Sequence, residues 1–182
     1  RMVLGGDLEA RLSYRAATPE ERALFASLGR TSEVIEVSGR ARAASGSSFV
    51  SLRAVDNNYP LLGTVSVDTE GDPATLPELL AHRDDRHGAI VDRLLLERLG
   101  LRLGDTIEIG EAHFELRAVL DNLPDQVTQG MQLGIPVLVS IEGLTATGIL
   151  EPGVLARYRY KLLLAEPGFD AAAATIAAAF PA

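Results

Sequence analysis

The chain has 182 residues, of which 47% are hydrophobic and 23% are charged, a composition that excludes an intrinsically disordered protein. Cysteine is absent from the sequence, which excludes disulfides, zinc–thiolate sites and iron–sulfur clusters within the chain. The 25 acidic and 17 basic residues give a formal net charge of -8, so general electrostatic attraction to nucleic acid phosphates is not expected.

The first elements of the chain are marked by alternation and by a helix cap. Apolar and polar residues alternate over 7–15, which predicts a half-buried strand. The sequence Thr18-Pro19-Glu20-Glu21 combines an N-cap, a proline in the first turn and an acidic residue able to close a capping box. We therefore predict a helix over 18–28, which ends at Gly29.

A β-hairpin is predicted next. Segments 35–43 and 49–55 alternate between apolar and polar residues and are separated by small residues. Turn-forming residues and a proline follow over 56–60, after which 61–67 is predicted to be another strand. Two prolines and a Gly-Asp pair indicate a loop or a domain crossover over 69–77.

The second half carries a short helix and a second hairpin. Asp92 is placed to cap a helix that runs to Leu99 and ends at Gly100. Strands are predicted over 106–109 and 113–120, on either side of a glycine turn. The second of these strands is expected to place four apolar residues on one face: Phe114, Leu116, Ala118 and Leu120. One more short strand is predicted over 137–141.

The C-terminal segment predicts a strand and a helix. Residues 156–164 alternate so that Arg157, Arg159 and Lys161 share one face of the strand. This basic face would either pair with acidic neighbours across the sheet, which we favour, or contact an anionic partner or membrane surface. An alanine-rich helix with one apolar stripe is predicted over 169–180.

Charge is distributed unevenly, which suggests an inserted subdomain. Residues 1–75 carry a net charge of -2, residues 76–155 carry -7, and residues 156–182 carry +1. The chain begins at Arg1 without an apolar leader, so we expect an excised piece of a larger protein. Its least charged window, 131–150, contains a proline and a glutamate and is not expected to span a membrane, so the piece should be soluble.

No pattern for catalysis emerges from the sequence. The glycines have neither the dinucleotide-binding nor the phosphate-loop spacing, and the serines of 45–48 are not in a nucleophile elbow. His82 and His87 flank two aspartates, but histidines five residues apart do not share a helix face, and the arginines between them oppose a cation. A solvated turn is therefore the favoured interpretation of 82–87.

Six segments, in this order and spacing, are similar to one known family. They are GGDLE at 5–9, LRAVDNNYPL at 52–61, GAIVD at 88–92, LERLGLRLGD at 96–105, ATG at 146–148 and YRY at 158–160. Together they resemble the large extracytoplasmic domain of FtsX-like, MacB-type ABC transporter permeases, in particular the group associated with lysophospholipases or arylesterases. The sequence departs from the family pattern around 124–125 and 134–136.

The resemblance implies an α+β fold in two parts. A porter-like α/β sandwich would comprise residues 1–75 plus 156–182. A small β-rich, Sabre-like subdomain would be inserted over 76–155. Tyr59 and Pro60, together with Met131 and Leu133 in the loop 124–134, are the residues we expect on a partner or substrate surface.

The resemblance also implies a function without catalysis in this chain. It would be the periplasmic domain of a permease in the cytoplasmic membrane, and it would couple ATPase-driven motion to the export or handling of a lipid-like or lipidated substrate. Implied partners are a cytoplasmic ATP-binding subunit, a second permease copy or related permease, and a secreted esterase or lysophospholipase. No cofactor, metal or nucleic acid is expected. The alternative is a docking module that recruits or regulates an extracytoplasmic hydrolase such as an esterase or a cell-wall enzyme.

Overall fold

The structure, a computed structural model, describes residues 7–13, 15–60, 65–122, 134–151 and 154–164. Nine strands and four helices lie in these ranges. The strands are β1 (Asp7–Ser13), β2 (Gly29–Ala43), β3 (Gly46–Val55), β4 (Ser66–Asp68), β5 (His87–Val91), β6 (Thr106–Ile109), β7 (Ala112–Asn122), β8 (Ile135–Ser140) and β9 (Arg157–Leu164). The helices are α1 (Pro19–Leu28), α2 (Leu76–Leu80), α3 (Arg93–Leu99) and α4 (Ile141–Thr147). The α+β class is confirmed.

All nine strands are joined by hydrogen bonds. Eight follow the order β1-β9-β2-β3-β8-β5-β7-β4, and β6 pairs with both β2 and β7. The strands β2, β3, β8, β5, β7 and β6 therefore form a closed ring of pairings. Most pairs are antiparallel, but β3 pairs with β8, and β5 with β7, in parallel. Strands of the segment 76–155 thus pair with β2 and β3, and the division into two domains stays a prediction.

Two hydrophobic clusters pack on opposite faces of these strands. The larger cluster contains side chains of α1, α3 and α4, among them Phe25, Leu95 and Leu144. The smaller cluster contains Leu79 and Leu80 of α2. Since alternate residues of a strand point to opposite faces, β2 and β3 contribute side chains to both clusters.

Helix α1 forms as its sequence predicts. The Glu21 amide donates to Thr18 Oγ1 at 3.1 Å, and the Thr18 amide donates to Glu21 Oε1 at 2.8 Å, which completes the capping box. The bidentate hydrogen bonds from Arg15, together with the Thr18 amide, lower the pKa of Glu21 to about 2. The ring of Phe25 stacks on Tyr160 of β9 with centroids 5.4 Å apart, which fixes the helix on the sheet.

The predicted hairpins and the helix capped by Asp92 are confirmed, but α2 was not predicted. The loop expected over 69–77 ends at Thr75, where the Thr75 hydroxyl and the Glu78 carboxylate form a capping box and Pro77 occupies the first turn. Residues 61–64 lie outside the described residues. The last two residues of the strand predicted over 61–67 belong to β4. The helix predicted over 169–180 also lies outside the described residues.

The prediction of four apolar residues on one face of β7 was wrong. A bulge shifts the register of β5 and β7, so that Leu116 pairs with Ala89 but Ala118, not Arg117, pairs with Ile90. Because the side-chain period of a strand is two, one extra residue reverses the face of everything that follows. Phe114 and Leu116 belong to the larger cluster, whereas Ala118 and Leu120 contact the smaller one.

Gly88 allows α2 to lie directly against β5. A Cβ atom at Gly88 would overlap the carbonyl oxygen of Leu79 and would lie 2.6 Å from Arg117 Nη1. The Gly88→Ala substitution should therefore lower the free energy of unfolding by about 3 kcal/mol, since backbone atoms cannot move aside as a flexible side chain can. Urea denaturation measures this change. Gly71→Ala is the matched control, because its Cβ would meet nothing closer than 4.0 Å. Equal stability of the two variants would contradict the close approach of α2.

Candidate functional site

A cavity of about 490 Å³ lies between α2, α4 and the loop after β3. Its apolar wall is formed by Val55, Leu76, Pro77, Leu80 and Ile141. Its volume lies within the range of about 300–1,000 Å³ that is common for small-molecule sites.

Among the described residues, no helix has the length and apolar composition to cross a membrane.

The parallel pairing of β3 with β8 places this cavity. In the register of the two strands, Val55 is opposite Ser140, so their carboxyl ends meet at one edge of the sheet. The residues that follow, Asp56 and Asn57 after β3 and Glu142 after β8, therefore come to line the same cavity. Crevices at the carboxyl ends of strands are common binding positions in α/β sheets.

Asp56 is held rigidly at the cavity wall. Its Oδ1 accepts hydrogen bonds from Ser32 Oγ at 3.1 Å and from the Asn58 amide at 3.0 Å. Its Oδ2 accepts from the Glu33 amide at 2.8 Å. Donors of this kind fix the position of a carboxylate without removing its charge.

The opposite wall ends at His82, which is followed by a tight turn and then by His87. Asp84 and Asp85 have φ values of 53° and 62°, and Arg83 and Arg86 exchange backbone hydrogen bonds of 2.8 and 3.0 Å. This two-residue turn, with positive φ at both central positions, is the tight hairpin turn that matches strand twist. It places the rings of the flanking His82 and His87 with centroids 4.5 Å apart.

The prediction of a solvated turn is confirmed for Asp84 and Asp85, which are exposed, but not for His87. His87 is buried beside Phe114, and its Nδ1 has no hydrogen-bond partner. His82 is exposed and lines the cavity. Within the described parts of the chain, no three His, Asp or Glu side chains are grouped so that they could hold a metal ion.

Arg117 fixes the end of α2 that carries this wall. The guanidinium lies on the side of β7 that faces α2, and its Nη1 donates to the carbonyl oxygens of Leu79 and Ala81 at 3.1 and 2.5 Å. Its Nε donates to Glu115 Oε1 at 2.8 Å. A cation on the last carbonyl groups of a helix satisfies acceptors that have no partner within the helix.

The four residues predicted for a partner surface are only partly described. Tyr59 and Pro60 follow Asp56 and Asn57 directly, but Tyr59 is buried in the smaller cluster, with its hydroxyl 3.4 Å from Arg53 Nη1. Pro60 is half-buried. Met131 and Leu133 lie outside the described residues. A contact of these four residues with a partner stays a prediction.

Cross-strand pairing of the basic face is confirmed for Arg159. Its Nη2 lies 2.9 Å from Glu36 Oε1 on the neighbouring strand β2. Glu36 is also bound by Arg53 Nη2 of β3 at 2.7 Å. The Glu36 carboxylate therefore links three adjacent strands, and the Arg159 guanidinium pairs within the sheet.

The cavity could not be predicted from the sequence. Asp56 and Asn57 lie in a predicted turn, but Glu142 and His82 are distant from it in sequence, so no local pattern groups them with it. One local signal was available, because Thr75 and Glu78 repeat the capping pattern that identified α1 at Thr18 and Glu21.

Comparison with known proteins relates this fold to one class. No family model matches the chain. ABC transporter permease YbbP of Escherichia coli strain K12 is 27% identical over 114 residues, which are 62% of this chain and 13% of that permease. The extracellular domain of the noncanonic ABC-type transporter YknZ from Gram-positive bacteria superposes with a TM-score of 0.59 and 15% identity, over 92% of this chain and 88% of that domain. This chain has the fold of an ABC transporter's extracytoplasmic domain.

A second solved structure agrees with the first. The periplasmic region of MacB from Actinobacillus actinomycetemcomitans superposes with a TM-score of 0.55 and 9% identity, over 93% of this chain and 83% of that region. The resemblance found in the sequence is thereby confirmed. The chain spans only about an eighth of the length of the curated relative it matches, namely 13%.

The buried imidazole predicts a pH-dependent stability. Burial is the main cause that lowers the pKa of His87; the neighbouring His82 and Arg117 lower it further, and Glu142 opposes the shift. Protons then bind more readily to the unfolded chain than to the folded one. Lowering the pH from 7.5 to 5.5 should therefore reduce the free energy of unfolding, with a slope of at most about 1.4 kcal/mol per pH unit from this group.

Urea denaturation across this pH range measures the effect. The His87→Gln variant should lose part of the slope, because glutamine does not titrate. His113→Gln, on the exposed side of β7, is the matched control for replacing an imidazole by an amide. Identical slopes for the wild type and His87→Gln would show that the buried imidazole does not carry the effect.

Proposed function

We propose that this chain is the extracytoplasmic domain of a permease in the cytoplasmic membrane, and that it passes on movement driven by a separate ATP-binding subunit. The likeness in fold to the YknZ and MacB domains, over nine tenths of the chain, carries the proposal. The sequence relationship with permease YbbP supports it independently. A second permease copy or a related permease completes the proposed assembly.

The position of the outer strands supports attachment to a membrane from one side. Strand β1 begins at Asp7 and β9 ends at Leu164, and Asp7 pairs with Leu163. The start of the first described strand and the end of the last one therefore lie side by side. This arrangement suits a domain inserted between two membrane helices, because both connections of such a domain enter the same face of the bilayer.

The pairing of the strands supports a mechanical role. Every described strand is hydrogen-bonded into one network, and Glu36 ties β2, β3 and β9 together through Arg53 and Arg159. A network of this kind moves as a unit when it is displaced, and rigid-body movement of domains is a common way to transmit a conformational change. Transmission of this kind requires no catalytic residue in the chain.

We propose a lipid-like or lipidated molecule as the cargo, on the basis of the family resemblance. Purification of the full-length permease in detergent should recover an ATP-binding subunit in a fixed ratio to the permease. Addition of the cargo lipid should change the rate of ATP hydrolysis in proteoliposomes.

A permease from which residues 7–164 are deleted is the control for this experiment. It should still bind the ATP-binding subunit through its membrane part, but the rate of ATP hydrolysis should no longer respond to lipid. A well-solubilised permease that recovers no ATP-binding subunit would contradict the proposal. Recovery of a secreted esterase, without any effect of lipid, would assign the domain to docking of a hydrolase instead.

A further inference from the structure

Three polar side chains at the cavity have unused hydrogen-bonding capacity. Among the described residues, Asn57, His82 and Glu142 have no hydrogen-bond partner and no ion pair, although each lines the cavity. All three are exposed. These three groups are therefore available to a ligand without giving up existing hydrogen bonds, whereas Asp56 already accepts three.

The charge of the cavity is negative. Asp56 and Glu142 both contribute carboxylates, and none of the described lining residues is Arg or Lys. The guanidinium of Arg117, which lies on the α2 side of β7, is engaged with Glu115 and with the end of α2. A cationic group is favoured at such a position, and an anionic group is disfavoured.

The remaining wall is apolar. Leu76, Pro77 and Leu80 of the α2 region face the cavity together with Ile141 of α4. A ligand that fills both parts must carry an apolar chain next to its cationic group, since each buried methylene adds favourable transfer free energy. A small hydrated inorganic cation would leave the apolar wall uncovered.

We infer that the cavity between α2 and α4 binds a primary ammonium group carried on an alkyl chain. Glu142 and Asp56 receive the charge, Asn57 and His82 provide further hydrogen bonds, and the α2 side chains cover the alkyl chain. A free alkylamine and a lysine side chain of a protein segment share this chemistry. The inference does not require the membrane context of the proposed function, because it concerns a site within this chain.

Titration of the 182-residue chain with three probes of equal length tests the inference. Hexylammonium, hexan-1-ol and hexanoate are added at pH 7.5, and binding is followed by the amide resonances of residues around the cavity in two-dimensional NMR spectra. Hexylammonium should bind most tightly, hexan-1-ol more weakly and hexanoate least. Nα-acetyl-lysine-N-methylamide, added separately, distinguishes a lysine side chain from a free amine as the source of the group.

Two variants locate the binding. Glu142→Gln should lower the affinity for hexylammonium about fivefold and leave the affinity for hexan-1-ol unchanged, since it removes one partly exposed charge interaction. Glu97→Gln, on the exposed side of α3, removes the same charge elsewhere and should change neither affinity. Ala81→Phe places a bulky side chain in the cavity and should weaken both probes, with thermal unfolding used to verify that the variant folds.

The outcomes are distinct. Tighter binding of hexylammonium that is weakened selectively by Glu142→Gln, together with binding of both probes that is weakened by Ala81→Phe, supports the site, whether or not the lysine analogue also binds. Equal affinity for hexylammonium and hexanoate, or binding that Ala81→Phe does not affect, would overturn it. Failure of this experiment leaves recovery of the ATP-binding subunit unchanged, so the two proposals fail separately.

Discussion

The parallel pairing of β3 with β8 is the constraint on which the arrangement of this domain depends. It joins the β2–β3 hairpin to the segment after β7, and it aligns the carboxyl ends of two strands whose paired residues, such as Val55 and Ser140, are 85 positions apart in sequence. The loop of Asp56 and the first turn of α4 are brought together as a result. Without this register, the polar residues after the two strands would not share a cavity.

The wall opposite these loops depends on α2, a helix of only five residues. So short a helix has little stability of its own, and its position is determined by what it contacts. Gly88 lets its backbone lie against β5, and Arg117 binds the carbonyl groups at its end. Alternation places Arg117 on the face of β7 opposite Leu116, and the bulge adds Ala118 to that same face, where it joins the smaller cluster with α2.

Local patterns were sufficient to predict much of the fold. The cap at Thr18, the cap at Asp92 and the alternation of the hairpin strands depend on residues close in sequence, and each appears in the structure as expected. Strand β2 begins earlier than its alternation indicates, because residues 29–34 gain their hydrogen bonds from β9 at the far end of the chain. The bulge and the cavity could not be predicted for the same reason, since both result from pairing between distant strands. The resemblance to permease domains indicated the class of fold but not the site.

The ring of pairings that β6 closes has a further consequence for the behaviour of the domain under load. An open sheet can be peeled from its edge, one strand after another, because each separation breaks only one row of hydrogen bonds. In a ring, opening one pairing leaves its two strands tethered through the others, so separation requires at least two rows to break together. A pull applied to strands of the ring is thus resisted cooperatively, whereas β1 and β9, which lie outside the ring, can separate one row at a time.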